Sequence, residues 1–405
     1  MTREQLATEA PEADGTTVRS PRQGAPGAAR RRKVRAAVVT GAVAGVVALG
    51  VVVALAVDGG GDAQEPTTAT PPATGVAADP GQSPPRKLVA AGRVAVSGYY
   101  TTKSVTQSDG NGSVEFEWNL INSTTGTYAK GDWSWVDIAP GMRTAVVLEK
   151  ELPAKRVGLL DLATHKVTRW IKVDKGVGGV RFSPDGKRLV ATAYSADPDR
   201  LYKEESYQVN DTKVPGPKPS RTGFYVIDVA SGKAEFTARP PKKNERGYVV
   251  GGGRQDMSWN RDGTVLWEPW SNKAGKVFVE PGGREVPVPK TETGLGAPGS
   301  VLSPDKKLVT GEFVGTAEQV VSEVRDVKTG KRAALVPGQQ LLAWADDDAL
   351  IAWRCEPKQC SPGKGEFRNQ LVLAGLDGES VTPLTGFRRP SLKDDDRWNP
   401  IFTKR

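Results

Sequence analysis

From Leu88 onward the chain alternates short apolar runs with turn-forming residues, and no helical period persists. In Ser113–Trp118 the side chains alternate: Val114, Phe116 and Trp118 fall on one face, Glu115 and Glu117 on the other. That is the pattern of a half-buried strand. Phe224-Tyr225-Val226-Ile227 is instead a continuous apolar run, as in a strand covered on both faces. One hairpin recurs. Val180–Ala193 reads as strand, tight turn at Ser183-Pro184-Asp185-Gly186, and strand. The proline sets φ for the first half of the turn, and Asp-Gly supplies a side-chain acceptor and an unstrained positive φ. Met257–Trp267, Ser300–Thr310 and Leu342–Trp353 repeat the pattern, with a looser copy at Trp135–Glu149.

The large residues ending the first strand of each copy are Ile138, Phe182, Trp259, Leu302 and Trp344, spaced 44, 77, 43 and 42 residues apart. The turn acids fall in register at Asp185, Asp262, Asp305 and Asp347, with Gly141 in that place in the looser copy. A second hairpin follows each copy, with turns at 161–166, 228–233, 280–285, 326–331 and 376–380. Stepping back 44 residues from Ile138 reaches Val94, inside Leu88–Thr102, and a fitting second hairpin follows at Phe116–Tyr128. The period of about 42 residues predicts an all-β fold. Specifically, it predicts a six-bladed β-propeller of four-stranded antiparallel blades over 88–388. Each blade covers its faces against its neighbours. The tail 389–405, with Trp398 and Phe402, is expected to pack on the ring without adding a strand.

FSPDGKRLV at 182–190, followed by a short apolar strand and an Asp-x-x-[Ser/Thr]-Gly-Lys turn, resembles the WD-repeat-like blades of TolB-type six-bladed propellers. The resemblance implies a fold far more than a function. The Trp-Asp dipeptide of true WD repeats does not stand in these turns. The residues ahead of the repeats do not read as the N-terminal domain that TolB-type proteins use. A translocation role is therefore not implied.

Residues 1–35 are polar, with eight Lys/Arg against four acids, and read as a disordered basic cytoplasmic segment. Residues 36–57 are 22 uncharged, mostly apolar residues, enough for a transmembrane helix. The basic cluster before them places the N-terminus in the cytoplasm and the later domain outside the cell membrane. A cleaved signal peptide is the rival, since Ala54-Leu55-Ala56 matches a cleavage site, but both the leader and the apolar run are long for it. Gly41 and Gly45 form a GxxxG that offers a route to a homodimer. Residues 58–87 are a Pro/Thr/Gly-rich linker. A basic, Ala/Gly/Val-rich anchor ahead of such a propeller looks like the membrane-bound surface proteins of Gram-positive bacteria with GC-rich genomes.

The formal charge of +9 is dispersed, with 46 basic against 39 acidic residues over 88–405. It gives no reason to expect a nucleic-acid partner. Cys355 and Cys360, the only cysteines, suit a small disulfide-closed loop in an oxidising compartment. With His165 as the sole imidazole they cannot form a four-ligand metal site. His165 itself stands where the other hairpin turns have Gly. Gly294–Gly299 matches GxGxxG, but Pro298 and a following strand make it a connection between blades. The triplets Asp346–Asp348 and Asp394–Asp396 read as solvated turns rather than cation ligands. No catalytic residue, metal or cofactor is assigned. The insertion 194–221 is the functional lead, because binding residues concentrate on loops carried by rigid scaffolds. Arg200, Tyr202 and Tyr207 are its candidate recognition residues, Tyr and Arg being favoured at contact centres. The leading expectation is a non-catalytic binding module for a protein or envelope polymer. The second is a propeller-type hydrolase or lyase using carboxylates such as Asp197, Asp199, Glu204 or Glu205. A third is sensing, relayed through the anchor.

Overall fold

A computed structural model describes residues 75–209, 212–241, 253–270, 275–292, 300–316, 318–355, 368–388 and 397–405. These residues form an all-β fold of several antiparallel sheets. Among them the one helical element is a three-residue 3-10 turn, Lys290–Glu292. The expected anchor at 36–57 lies outside the described residues. Among the described residues no helix is long and apolar enough to cross a membrane.

The chain begins with β1 (Val76–Ala77), β2 (Ala90–Ala91), β3 (Val94–Thr106), β4 (Gly112–Ile121) and β5 (Tyr128–Gly131), each paired to the next. Then come β6 (Trp135–Ile138), β7 (Thr144–Leu148), β8 (Ala154–Asp161), the long β9 (Lys166–Phe182) and β10 (Arg188–Tyr194). A hairpin, β11 (Arg200–Val209) and β12 (Thr212–Pro217), intervenes before β13 (Arg221–Asp228) and β14 (Ala234–Ala238). Apart from that hairpin, β6 to β14 form one seven-stranded sheet. In it β9 pairs with β8 through its first half and with β10 through its second.

Three shorter meanders follow. The first runs β15 (Ser258–Trp259), β16 (Leu266–Trp270), β17 (Gly275–Val279) and β18 (Glu285–Val286). The second runs β19 (Leu308–Phe313), β20 (Val321–Asp326) and β21 (Arg332–Pro337), with Leu302 bridging to Val309. The third runs β22 (Gln340–Trp344), β23 (Ala349–Cys355), β24 (Asn369–Gly375) and β25 (Val381–Pro383). The last strand, β26 (Asn399–Lys404), returns to pair with β3 from Lys404↔Val94 to Asn399↔Tyr100.

The recurring turns form as their residues dictate. At 183–187 the Gly186 N–H bonds the Ser183 carbonyl at 2.8 Å, and the Ser183 hydroxyl donates to Asp185 Oδ1 at 2.5 Å. Gly186 sits at φ 71°, while Lys306 holds the same position at φ 65°. In the second turn class, Asp161 and Asp228 each accept backbone N–H groups from their own turn. His165 takes φ 54° there, where Gly232 takes 74° and Gly330 takes 68°. Its Nε2 lies 3.1 Å from the Ile121 carbonyl oxygen, to which it can only donate.

The apolar faces alternate between different clusters. Along β23, Leu350 and Ala352 join one core cluster, and Ile351 and Trp353 another. Along β13, Phe224 packs with Met257 and Trp259, whereas Tyr225 and Ile227 pack with Leu189 and Ala191. Sheets are thus covered on both faces by neighbouring sheets, as the continuous run in β13 foretold. Glu115 and Glu117 are exposed and Trp118 is buried, as the alternation in β4 requires.

Two expectations need correction. The tail 389–405 does not merely rest on the domain, since β26 supplies a sheet strand and Trp398 is buried. Arg405 clamps the Gly92 carbonyl at 2.8 Å through Nε and the Gly75 carbonyl at 2.7 Å through Nη2. Nor is the linker free of the fold to residue 87. β1 pairs with β2, the Asp79 N–H bonds the Leu384 carbonyl at 2.8 Å, and Trp398 Nε1 donates to Ser83 Oγ at 3.0 Å. These contacts run mostly through backbone groups, so they leave no hydrophobic period to read.

Candidate functional site

The insertion 194–221 is a second hairpin grafted onto the first. Arg200 and Leu201 of β11 pair with Ser113 and Gly112 at the end of β4. The Val114 N–H also bonds the Asp199 carbonyl at 2.9 Å. Side chains lock the graft. Arg200 Nη2 bonds Asp109 Oδ2 at 3.1 Å, Lys203 Nζ reaches the Asp109 carbonyl at 3.0 Å, and the Lys203 N–H reaches Asn111 Oδ1 at 3.0 Å. The Asn111 backbone N–H, more than any cation, holds the Asp109 carboxyl below its usual range.

The structure brings Arg200 and Tyr202 together, with the guanidinium 5.8 Å from the ring and Lys218 at 5.8 Å as well. Burial pushes the Tyr202 hydroxyl up. Tyr207 stands apart, beyond a register shift in β11, and is 54% exposed. Arg200 therefore works partly as an internal brace, and Tyr207 is the side chain offered outward. Glu204 and Glu205 are exposed and are not gathered with Asp197 and Asp199.

At the root of the hairpin lies a cluster that joins two of the candidate carboxylates, Asp197 and Asp199, to Arg254, Asp256 and Tyr194, which were not among the candidates. Arg254 donates to both Asp199 oxygens, to Asp256 Oδ2 at 3.1 Å and to the Gly178 carbonyl at 2.5 Å. Its guanidinium lies 4.4 Å from the Trp135 ring centre. Burial works against that charge, but Asp256 and Asp199 outweigh it and raise the Arg254 pKa. Tyr194 donates to Asp256 Oδ1 at 2.8 Å, and burial with the Asp256 charge pushes its hydroxyl well up. Asp197 caps the Asp199 N–H at 2.9 Å, and its carboxyl is raised by burial and by the Asp199 charge.

Two glycines make this packing possible. A Cβ on Gly179 would sit 2.4 Å from Asp256 Oδ1, and one on Gly178 would sit 2.7 Å from Pro198. Gly178-Gly179 inside a strand is a close-approach signal that the sequence carried and that points to this place. Across β9, Asp137 Oδ2 accepts the Phe182 N–H at 2.8 Å, and burial raises its carboxyl against the pull of Arg181. Asp137 and Asp197 are thus acids on separate elements whose carboxyls burial pushes up.

Among the described residues no group of three or more His, Cys, Asp or Glu is placed to hold a metal ion. Asp346 and Asp347 serve turns: they accept the Asp348 and Asp305 N–H groups, each at 2.9 Å. Cys355 is buried at the end of β23 and is not free. Cys360, the 294–299 motif and the 394–396 triplet lie outside the described residues.

No protein-family model matches this chain, and no curated protein matches it. Solved structures do. It is similar to TolB from Acinetobacter baumannii at 15% identity and TM-score 0.37, covering 73% of this chain and 64% of that one. This chain therefore spans a little under two thirds of the TolB structure. It is similar to an oligogalacturonate lyase from Vibrio parahaemolyticus at 14% identity and TM-score 0.40, covering 77% of this chain and 88% of that one. A third is the Cps50 (Swd1) β-propeller domain of Myceliophteria thermophila, at 9% identity and TM-score 0.34, covering 70% and 81%. The all-β architecture rests on the strand pairing itself.

Proposed function

We propose that this chain is a membrane-anchored, extracytoplasmic six-bladed β-propeller acting as a non-catalytic binding module for a protein or envelope polymer. Hydrogen bonds between successive meanders support the ring. Gly141 N–H to the Lys404 carbonyl, Trp135 Nε1 to the Val180 carbonyl and Met257 N–H to Thr192 Oγ1 join the first units, at 2.8, 2.7 and 2.8 Å. Arg261 Nη2 to the Ser300 carbonyl, Trp344 Nε1 to the Val301 carbonyl and Arg93 N–H to the Ala345 carbonyl continue the circuit, at 2.6, 2.9 and 2.9 Å. The last of these returns to the first meander. In this ring β26 is the inner strand of the first blade. The anchor at 36–57, packing of two anchors through Gly41 and Gly45, and a Cys355–Cys360 disulfide belong to the same proposal.

The observation that carries the binding reading is the β11–β12 hairpin, pinned by Arg200 and Lys203 to the β3–β4 connection and presenting Tyr207. An anchored hairpin with an exposed aromatic side chain suits recognition. A photo-crosslinking residue placed at Tyr207 in intact cells is expected to trap a discrete partner. The same residue at Lys331, in an exposed turn on the opposite side of its sheet, should not. Equal adducts at both positions, or none at either, would sink the hairpin as the binding element.

The raised carboxyls of Asp137 and Asp197 favour a second reading, a hydrolase or lyase using channel carboxylates. Turnover of an envelope oligosaccharide that vanishes in both Asp137→Asn and Asp197→Asn would replace the first reading with this one.

A further inference from the structure

We propose that the surroundings of Arg181 form a binding site for a small carboxylate ligand, seated on the Arg181 guanidinium beside Tyr100 and Trp135. This site is separate from the hairpin surface above and needs only the local geometry of β6 and β9.

Several arginines of the interior hold carboxylates. Arg221 and Arg239 share Glu268, and Arg254 holds Asp199 and Asp256. Arg181 differs. Its Nε is buried with no hydrogen-bond partner, as are those of Arg200, Arg221 and Arg354. Arg200 and Arg221 reach carboxylates through Nη2, whereas no carboxylate among the described residues closes an ion pair with Arg181. A buried donor left unmade is costly, so such a group points to an acceptor that arrives from outside. The residue is nevertheless partly exposed, so a ligand can reach it.

The neighbours define what fits. The guanidinium carbon lies 5.4 Å from the Trp135 ring centre, within reach of a cation–π contact. The partly exposed Tyr100 lies close enough to feel its charge. Asp137 is held back by the Phe182 N–H at 2.8 Å and does not bridge to Arg181. Burial pushes the Asp137 carboxyl up, against the pull of the Arg181 charge and of the Phe182 N–H. Asp137 and Arg181 hold the same register position, each one residue before the end of its first strand, at Ile138 and Phe182. In the later repeats Ser258, Val301 and Ala343 take that place, none of them charged. A planar guanidinium fork is the complement of a carboxylate.

The test is calorimetric titration of the full chain with glucuronate and with N-acetylalanine. Glucose and N-acetylalanine amide serve as neutral controls, and inorganic phosphate as the rival anion. Saturable binding of either carboxylate, absent for its neutral control, is expected, and the tighter of the two identifies a sugar acid or a peptide-like source. Arg181→Gln should weaken that binding at least tenfold, and Arg181→Lys should restore part of it. Asp137→Asn keeps the acceptor for Phe182 and should bind at least as tightly as the native chain. It serves as the readout should the arginine variants misfold. No saturable carboxylate binding, binding unchanged in Arg181→Gln, weaker binding in Asp137→Asn, or phosphate bound more tightly than either carboxylate would overturn the proposal.

Discussion

The two ends of the seven-stranded sheet are built on different principles. At one end the connections 162–165, 183–187 and 229–233 are short, and their acids cap their own turns. Hydrogen bonds from Ser183 and from Ser231 hold Asp185 and Asp228 below the usual carboxylate range. At the other end the link from β10 to β13 spans 26 residues, Ser195 to Ser220, and its acids depend on distant partners. Asp199 pairs with Arg254, 55 residues away, and Arg200 pairs with Asp109, 91 residues away. The first end is set by local geometry, the second by tertiary assembly. Function is expected at the second, where the framework leaves room for variation.

β26 lies outside that sheet, beside β3, and its pairing too is made wholly by tertiary assembly. Removing residues 399–405 unpairs β3 along Val94–Tyr100 and uncovers Val96 and Ala95. It is the largest effect expected: loss of a single cooperative unfolding transition, read by circular dichroism in urea. A variant that kept the native midpoint would show the strand to be dispensable.

Next in size is Arg254→Ala. It strands the Asp199 and Asp256 carboxylates in a partly buried setting, and breaking a buried pair from one side costs about 3–5 kcal/mol. The matching change among the exposed turns, Arg284→Ala, opens only the solvent-exposed pair with Glu280 and should cost under about 0.5 kcal/mol. Comparable losses in urea denaturation would erase the contrast between the ends.

Acid should separate the ends by sign. The lowered carboxyls of Asp185, Asp228 and Asp305, the last at about 2, contribute stability that is present above the unfolded pKa. That stability is lost as pH falls through the folded values, from about 4 downward. The raised carboxyls of Asp197 and Asp137 do the opposite: their contribution is complete below the unfolded pKa and is lost as pH rises through the folded one. Stability is therefore expected to rise slightly on acidification toward about pH 4 and to fall below it. Asp197→Asn with Asp137→Asn should abolish the rise and leave the fall. Urea midpoints taken across that range decide it.

The same division explains what could be read from the chain. The turns were legible because Pro184, Asp185 and Gly186 answer conformational demands within five residues. Strand burial in β13 was legible because an unbroken apolar run has few other uses. β26 was not, since Asn399–Lys404 carries no adjacent hairpin turn and its partner lies some 300 residues earlier. Nor was the Arg254 cluster, whose members come from β10, its following loop and the approach to β15. Gly178-Gly179 was the one local mark of it, because a strand gives up two side chains only where something must come close. Arg200 and Tyr202 lie near each other on the insertion, but the sequence could not tell that Asp109 would occupy the arginine.

The smallest effect tests the turns most directly. Lys306 holds φ 65° at the position where Gly186 takes 71° and Gly263 takes 71°. An L side chain in that region costs roughly 1 kcal/mol or more relative to glycine, partly offset because glycine frees the unfolded chain. Lys306→Gly should therefore stabilise the fold by roughly 0.5 kcal/mol, seen as a small upward shift of the urea midpoint without a change in slope. His165→Gly offers the counter-case at φ 54°, because it relieves the same strain but deletes the bond from Nε2 to the Ile121 carbonyl. It should gain less than Lys306→Gly, or lose stability outright. A larger gain at 165 than at 306 would mean that the hydrogen bond contributes nothing and that backbone strain alone governs these turns.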